Sequence, residues 1–303
     1  MLHNQTQVRT MEKVVIPAAG LGTRLLPATK EQPKEMLPIF VKNANGEYCL
    51  KPFLQVVFEQ LYDSGFKDFC FVVGRSKRSI EDHFTCDSNF VQDLSRNNKV
   101  KSAKELDGFY ERVNNSNIVF VNQPEPRGFG DAVLRAKHFT GNEPFLVHAG
   151  DDLILSKNDR YVKRLVHVFE KYSADAVFYV QRVSDPRNYG VIHGKKLSDN
   201  KRVEQFSIYR VSEIEEKPVF PSSKLAAVAI YAFSPRIYEA LEASHPDARN
   251  EIQLTNAIQY MIDKGQAVYA VELEKGQKRI DIGTPDSYWK VLMAVRKHRP
   301  AET

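Results

Sequence analysis

A chain of 303 residues, 42% hydrophobic and 27% charged, has ordinary globular composition and can bury its own core as one large domain. Its 43 Lys and Arg against 38 Asp and Glu leave a formal charge of +5. With no basic block this argues against a nucleic-acid arm and for a small anionic ligand. No run approaches the ~18 apolar residues of a membrane span, and Cys49, Cys70 and Cys86 lack CxxC spacing, so the expectation is a soluble, cytoplasmic protein with no membrane partner.

The first ten residues, MLHNQTQVRT, are polar and lack the apolar core of a signal peptide. Residues 1–12 are expected to form a flexible extension. KVVIP at 13–17 reads as a buried strand, and PFLQVVFEQLYDSG at 52–65 as a helix with Pro at its start and Gly past its end. Residues 43–48 carry an Asn-Gly turn signal for a small hairpin. DFCFVVG (68–74), NIVFVNQ (117–123) and PFLVHAGDD (144–152) read as further strands, with helices near 79–84 and 130–137. The charged, Asn- and Ser-rich stretch 89–117 reads as a helical excursion over the sheet. After residue 175 come AVFYVQRV, YGVIHG, VSEIEEKP and LAAVAIYAFS, strands with few helices between, closed by helices over 251–264 and 285–297. The pattern is α/β: a mostly parallel central mixed sheet with helices on both faces. No repeat is visible.

In such a sheet ligands gather at the carboxyl ends of strands. After the first strand comes AAGLGTR: Ala18, Ala19, Gly20, Leu21, Gly22, Thr23 and Arg24. The two glycines let backbone N–H groups approach phosphate oxygens, and Arg24 adds a permanent cation with a rigid donor fork. The loop is neither GxGxxG nor the GK[ST] P-loop. Taken alone it could be an ordinary glycine turn. KEMLP follows about ten residues on, where Lys34 can return to the same phosphates; a surface lysine beside a proline is the plainer alternative. Together the two segments are far more specific than either.

AAGLGTRLLPATKEQPKEMLP resembles the signature of the sugar-1-phosphate nucleotidylyltransferases, most nearly their bacterial-type UTP–glucose-1-phosphate uridylyltransferase branch. SKRSIEDHF, GFGDAV, DDLIL, YGVI, EEKP, NEIQLTNAI and DIGTP follow in the same order, so the resemblance runs from residue 13 to about 297. It implies a Rossmann-like nucleotide-diphospho-sugar transferase fold, with residues 13–303 as one domain. Residues 13–155 would form a nucleotide-binding half and 156–303 a sugar-binding half. It also implies the substrates UTP and glucose 1-phosphate, the products UDP-glucose and pyrophosphate, Mg²⁺ as cofactor, and a homo-oligomer, dimer or tetramer.

The resemblance also distributes roles. Arg24 and the loop amides would hold the β- and γ-phosphates, and Lys34 would neutralise charge at the α-phosphate. Gln123 and Gly128 would meet the base, since an amide can pair with the donor–acceptor edge of uracil. Asp151 and Asp281 would hold the metal, carboxylates being the ligands Mg²⁺ prefers. A helix cap is the alternative for Asp281, and for Asp152 a cap or supporting contact is the better reading. Glu216 would accept two vicinal sugar hydroxyls, Lys217 would hold the sugar phosphate, and Gly190 after Tyr189 would lay backbone against the pyranose. Each also has a plainer reading, as a surface pair or a routine turn. His83, His148 and His193 show no metal-ligand spacing and read as core or surface residues. Three features depart from the family pattern: an insertion at 41–50, Ala229 where glycine is expected, and Asn250 and Asn256 where aspartate is expected. A thymidylyltransferase on the same sugar phosphate and a non-catalytic regulatory subunit are the rival readings.

Overall fold

The computed structural model describes residues 11–43, 45–156, 160–197 and 206–297. The expected flexible extension lies, but for residues 11 and 12, outside the described residues. β1 (Lys13–Pro17) leads through two 3-10 turns, Thr23–Leu25 and Lys34–Met36, into a hairpin of β2 (Pro38–Lys42) and β3 (Tyr48–Pro52). Next come α1 (Phe53–Asp63), β4 (Asp68–Gly74), α2 (Arg78–His83), α3 (Ser88–Arg96), α4 (Val100–Asn114) and β5 (Asn117–Gln123). α5 (Gly128–Arg135) and the short α6 (Lys137–Thr140) precede β6 (Phe145–His148) and β7 (Asp152–Leu155). Then follow α7 (Tyr161–Lys171), β8 (Ala176–Arg182), β9 (Gly190–Lys196), β10 (Ile208–Glu216) and β11 (Leu225–Phe233). The chain closes with α8 (Ile237–Ala243), α9 (Leu254–Asp263), β12 (Val268–Glu272), β13 (Lys278–Asp281) and α10 (Pro285–Lys297).

Nine strands form one sheet in the order β5-β4-β1-β6-β11-β8-β12-β10-β9. From β5 to β6 the strands are parallel, because the links from β1 to β4, β4 to β5 and β5 to β6 are crossovers that contain helices. Beyond β6 the sheet is mixed: β11 is antiparallel to β6 and β8, and β10 to β12 and β9. The expected parallel order therefore describes one side of the sheet only.

Side chains alternate across the strands with period two, and this splits the core in two. Val14, Ile16, Phe69 and Phe71 pack with α1 and α7 on one face. Val15, Cys70, Val72 and Val147 pack with α5, α8 and α9 on the other. Under α1 the Phe58 ring meets Phe69 at 4.8 Å and Phe84 at 5.2 Å; truncating such a residue to alanine costs about 3–5 kcal/mol. His83 belongs to this core, stacked on Phe109 at 4.9 Å and pushed down to about 4 by burial.

The stretch 144–152, expected as a single strand, is interrupted after His148. Residues 149–151 turn, and β7 leaves the main sheet to pair antiparallel with β13. The parallel run places the carboxyl ends of β1, β4, β5 and β6 along one edge. Among the described residues no helix is long and apolar enough to cross a membrane.

Candidate active site

Past β1 the backbone turns outward at Gly20. A Cβ added there would lie 3.7 Å from Lys34 Cε and 3.9 Å from Lys34 Nζ, so the two lysine- and glycine-bearing segments meet. Gly22 takes φ +65°, and its carbonyl accepts from Thr29 Oγ1 at 2.8 Å and from Leu25 N at 2.9 Å. The loop is thus closed on itself, while Ala19, Gly20, Leu21, Gly22, Thr23 and Arg24 line one cavity. Ala18 does not line it. It is buried, and its N–H donates to Val72 O at 2.8 Å.

Lys34 opens the turn Lys34–Met36 and forms an ion pair with Asp151 Oδ2. Burial would lower this lysine's pKa, but Asp151 and Glu35 outweigh it and raise the group above its ordinary 10.5. At Asp151 burial pushes the carboxyl up, and Lys34 with Arg279 more than offsets it, holding the group below 3.8. Glu35 is itself buried and accepts from Lys77 Nζ at 2.9 Å. Burial pushes Glu35 up against the pull of Lys77 and Lys34. Breaking such a buried pair from one side costs about 3–5 kcal/mol, so Lys77 offsets much of the cost of burying the Glu35 carboxylate. Beneath them His148 is fully buried and pushed down to about 4, which keeps it neutral at physiological pH.

Asp152 begins β7 opposite Asp281 at the end of β13. Its buried carboxylate accepts from Arg279 Nε at 3.0 Å and Nη2 at 2.8 Å, and from Ala229 N at 3.3 Å. Burial pushes it up, against Arg279. The geometry makes Asp152 a supporting contact. Arg279 and Asp281, two apart on a strand, share one face, and the Arg279 guanidinium sits 5.7 Å from the centre of the Tyr189 ring. Ile282 N donates to Asp151 O at 3.2 Å and stitches the two acidic strand ends together. A Cβ added at Gly283 would lie 2.8 Å from Asp281 Oδ2 and 3.5 Å from Arg24 Nη2, which brings Asp281 to the same corner as Arg24. Among the described residues no three His, Cys, Asp or Glu cluster to cage a metal. Two carboxylates are nonetheless a fitting oxygen-only donor set for Mg²⁺, which takes water and phosphate oxygens for the rest.

Gln123 ends β5 and lines the cavity. Its Nε2 donates to Asp131 Oδ2 at 2.8 Å and to Gly128 O at 3.1 Å. Gly128 has φ +92°, and a Cβ there would fall 2.9 Å from Glu251 Cβ and from Ile252 O. Only glycine fits at that contact. Ile252 N donates to Arg127 O at 2.8 Å and Gly130 N to Ile252 O at 2.9 Å, so GFGDAV and NEIQLTNAI form one wall.

The third corner is separate. Gly190 pairs with Glu216 across β9 and β10, and a Cβ on it would strike Thr255 Cγ2 at 2.7 Å. Lys217 takes φ +46° and donates its N–H to Tyr189 O at 3.0 Å. Its ammonium pairs with Glu216 Oε1 at 2.9 Å, and Thr255 Oγ1 donates to Glu216 Oε2 at 3.1 Å. Gly190, Glu216 and Lys217 are brought to one another but do not line the cavity of Gly20, Lys34 and Asp151. That cavity has a volume of about 380 Å³, ample for a small molecule.

Sequence reasoning missed Glu35, Lys77, Asp131 and Arg279. The alternation of Arg279 and Asp281 on one strand face was a usable signal; the buried pairing of Glu35 with Lys77, 42 positions away, was not.

A family model described as Nucleotidyl transferase matches residues 13–298. UTP–glucose-1-phosphate uridylyltransferase 2 of Streptococcus pyogenes serotype M3 is 42% identical over 295 residues, 95% of this chain and 90% of the relative. A crystal structure of UDP-glucose pyrophosphorylase complexed with UDP-glucose superposes with TM-score 0.79 at 31% identity, covering 96% of this chain and 100% of that one. The UTP-bound UGPase from Acinetobacter baumannii gives TM-score 0.80 at 28% identity, over 96% and 95%. With likeness running from the first strand to the last helix, the chain belongs to the nucleotidyl transferase family, in its UTP–glucose-1-phosphate uridylyltransferase branch.

Proposed function

We propose that the protein transfers the uridylyl group of UTP to glucose 1-phosphate, giving UDP-glucose and pyrophosphate. One observation carries this most strongly: a single cavity is lined by the glycine loop, Arg24, Lys34, Asp151 and Gln123. The substrate needs no protein base. A phosphomonoester has its second pKa near ~6, so the attacking oxygen is already anionic at pH 7. The neutral, buried His148 agrees with this. The protein's task is to bring two polyanions together.

The loop from Ala19 to Arg24 holds the β- and γ-phosphates and receives the departing pyrophosphate. Lys34, kept charged by Asp151 and Glu35, swings between that carboxylate and the α-phosphate, where negative charge builds. Gln123 and the Gly128 backbone meet the uracil. Glu216 accepts sugar hydroxyls beside the Gly190 backbone, and Lys217 aligns the sugar phosphate for in-line attack. Asp151 and Asp281 are the carboxylates that would hold Mg²⁺, which when bound supplies charge screening between the two phosphates. In this scheme residues 13–155 serve the nucleotide and 156–303 the sugar. In this reading the protein acts in the cytoplasm as a homo-oligomer, a dimer or tetramer, to be weighed by light scattering. A non-catalytic role is disfavoured because Arg24, Lys34, Asp151 and Lys217 are all present.

The test is pyrophosphate release from UTP with Mg²⁺. It should require a sugar 1-phosphate, glucose serving best, and stop with EDTA. Equal release from UTP alone would mean a hydrolase.

A further inference from the structure

We propose that Asp131 sets the pyrimidine selectivity of this site by fixing which end of the Gln123 amide faces the base. The inference rests on the placement of the base beside Gln123 argued above. An amide offers a cavity either a donor or an acceptor, according to which way it is turned. Here the surroundings decide. The two groups within reach of Nε2 are the Asp131 carboxylate, at 2.8 Å, and the Gly128 carbonyl, at 3.1 Å. Both can only accept hydrogen bonds, so the NH₂ group must face them, and both of its hydrogens are then used. The atom left for the cavity is the acceptor, Oε1.

Neither partner is free to turn away. Asp131 is buried in the first turn of α5 and is gripped by Arg135, whose Nη2 donates to Oδ1 at 3.2 Å and Nε to Oδ2 at 3.4 Å. Gly128 O belongs to the turn wedged against Glu251 and Ile252. Turning the amide over would set Oε1 against a carboxylate and a carbonyl, oxygen facing oxygen in a buried place.

A fixed acceptor selects among pyrimidines. Uracil and thymine carry a hydrogen on N3 and can donate it to Oε1. Cytosine has a bare lone pair at N3, which would meet the lone pairs of Oε1 and leave two buried acceptors unpaired. Asp131 therefore separates UTP from CTP and leaves UTP and dTTP alike. It never touches the nucleotide. It is a positioning residue acting through Gln123.

Asp131→Asn is nearly isosteric and ends the constraint, because the new side chain can turn its own NH₂ toward Gln123 and accept either orientation. The Gly128 carbonyl remains, so the effect is partial. We expect the ratio of kcat/KM for UTP over CTP to fall about tenfold or more, a change of one hydrogen bond's worth. The UTP over dTTP ratio and the KM for glucose 1-phosphate should not move. Gln123→Leu, which removes the acceptor itself, should collapse the UTP over CTP ratio further. If Gln123→Leu collapses the ratio and Asp131→Asn leaves it unchanged, the lock is wrong while the placement of the base stands. If neither variant moves the ratio, the base is not read at Gln123 and both ideas fall. A uniform loss across UTP, dTTP and CTP in Asp131→Asn, with their ratios intact, also overturns the proposal, since it marks Asp131 as merely structural. Should Asp131→Asn fail to fold, the smaller Asp131→Ser, whose hydroxyl donates or accepts, is judged by the same ratio.

Discussion

At the proposed nucleotide end of the site three charges are met by partners from distant parts of the chain. Lys34 pairs with Asp151, 117 positions away, Glu35 with Lys77, and Asp152 with Arg279. At the sugar end the corresponding pair is between neighbours, Glu216 and Lys217, and the lysine is 47% exposed. Breaking the buried Glu35–Lys77 or Asp152–Arg279 pair from one side costs about 3–5 kcal/mol. The Lys34–Asp151 pair opens onto the cavity, and an exposed pair holds by about 0–1 kcal/mol. The first arrangement builds a rigid cradle before any ligand arrives. The second can open cheaply, which in the proposed scheme would release Glu216 to sugar hydroxyls and Lys217 to a phosphate. On the proposed assignment a triphosphate would meet a prepared surface, and the sugar phosphate would have to displace an internal contact.

The largest expected effect lies at the rigid end and separates two adjacent aspartates. Asp151→Asn keeps shape but removes the charge that pairs with Lys34 and would recruit a metal. Turnover should fall by about 10³-fold or more, with the melting temperature little changed, because Asp151 lines the cavity. Asp152→Asn leaves the buried Arg279 guanidinium without its carboxylate and should cost about 3 kcal/mol of stability, read by thermal unfolding. Activity lost in Asp152→Asn at full stability, with Asp151→Asn nearly silent, would exchange the two roles.

Next in size are the two neighbours at the open end. Lys217→Ala should depress kcat for every sugar 1-phosphate alike, by about 10²-fold, because the lost contact aligns the nucleophile. Glu216→Gln should act mainly on KM and blur hexose preference, a charged acceptor being worth about 1.5–3 kcal/mol. UTP affinity, followed by calorimetry, should survive both changes, since the triphosphate rests on the other corner. Loss of UTP binding in both variants, with sugar preference intact, would move this corner to the nucleotide.

The contrast also governs what the sequence could disclose. The strands were legible because their apolar runs must be covered on both faces, and the AAGLGTR and KEMLP segments because glycine and cation together have few structural uses. That Lys34 returns to Gly20 follows from the same chemistry, and a Cβ built on Gly20 would lie 3.7 Å from Lys34 Cε. The break after His148 was hidden, because apolar pattern alone does not say where a strand leaves one sheet for another. Ala18 was grouped with the loop by adjacency, yet its amide belongs to the ladder with Val72. Lys77 was invisible as a functional residue because its importance lies in Glu35, which it meets across the fold.

The smallest effect concerns pH, and its sign follows from the rigid end. Lys34 is raised above 10.5, so the stability its pairing lends is complete below that value and is lost only as pH climbs through the raised one. Asp151 is held below 3.8, so its contribution is complete above that value and is lost only as pH falls through the lowered one. Between these limits neither group changes charge, and the Lys34–Asp151 pair gives no pH dependence of its own. The substrate does. Glucose 1-phosphate loses its dianion below its second pKa, near ~6. Between about pH 5 and 9 the profile of kcat/KM should therefore show one acid limb, belonging to the sugar phosphate, and no alkaline limb from Lys34. A 2-fluoro sugar 1-phosphate has a more acidic phosphate, and with it the limb should move to lower pH. A limb that stays in place when the substrate changes belongs to the protein, and the cradle would then titrate after all.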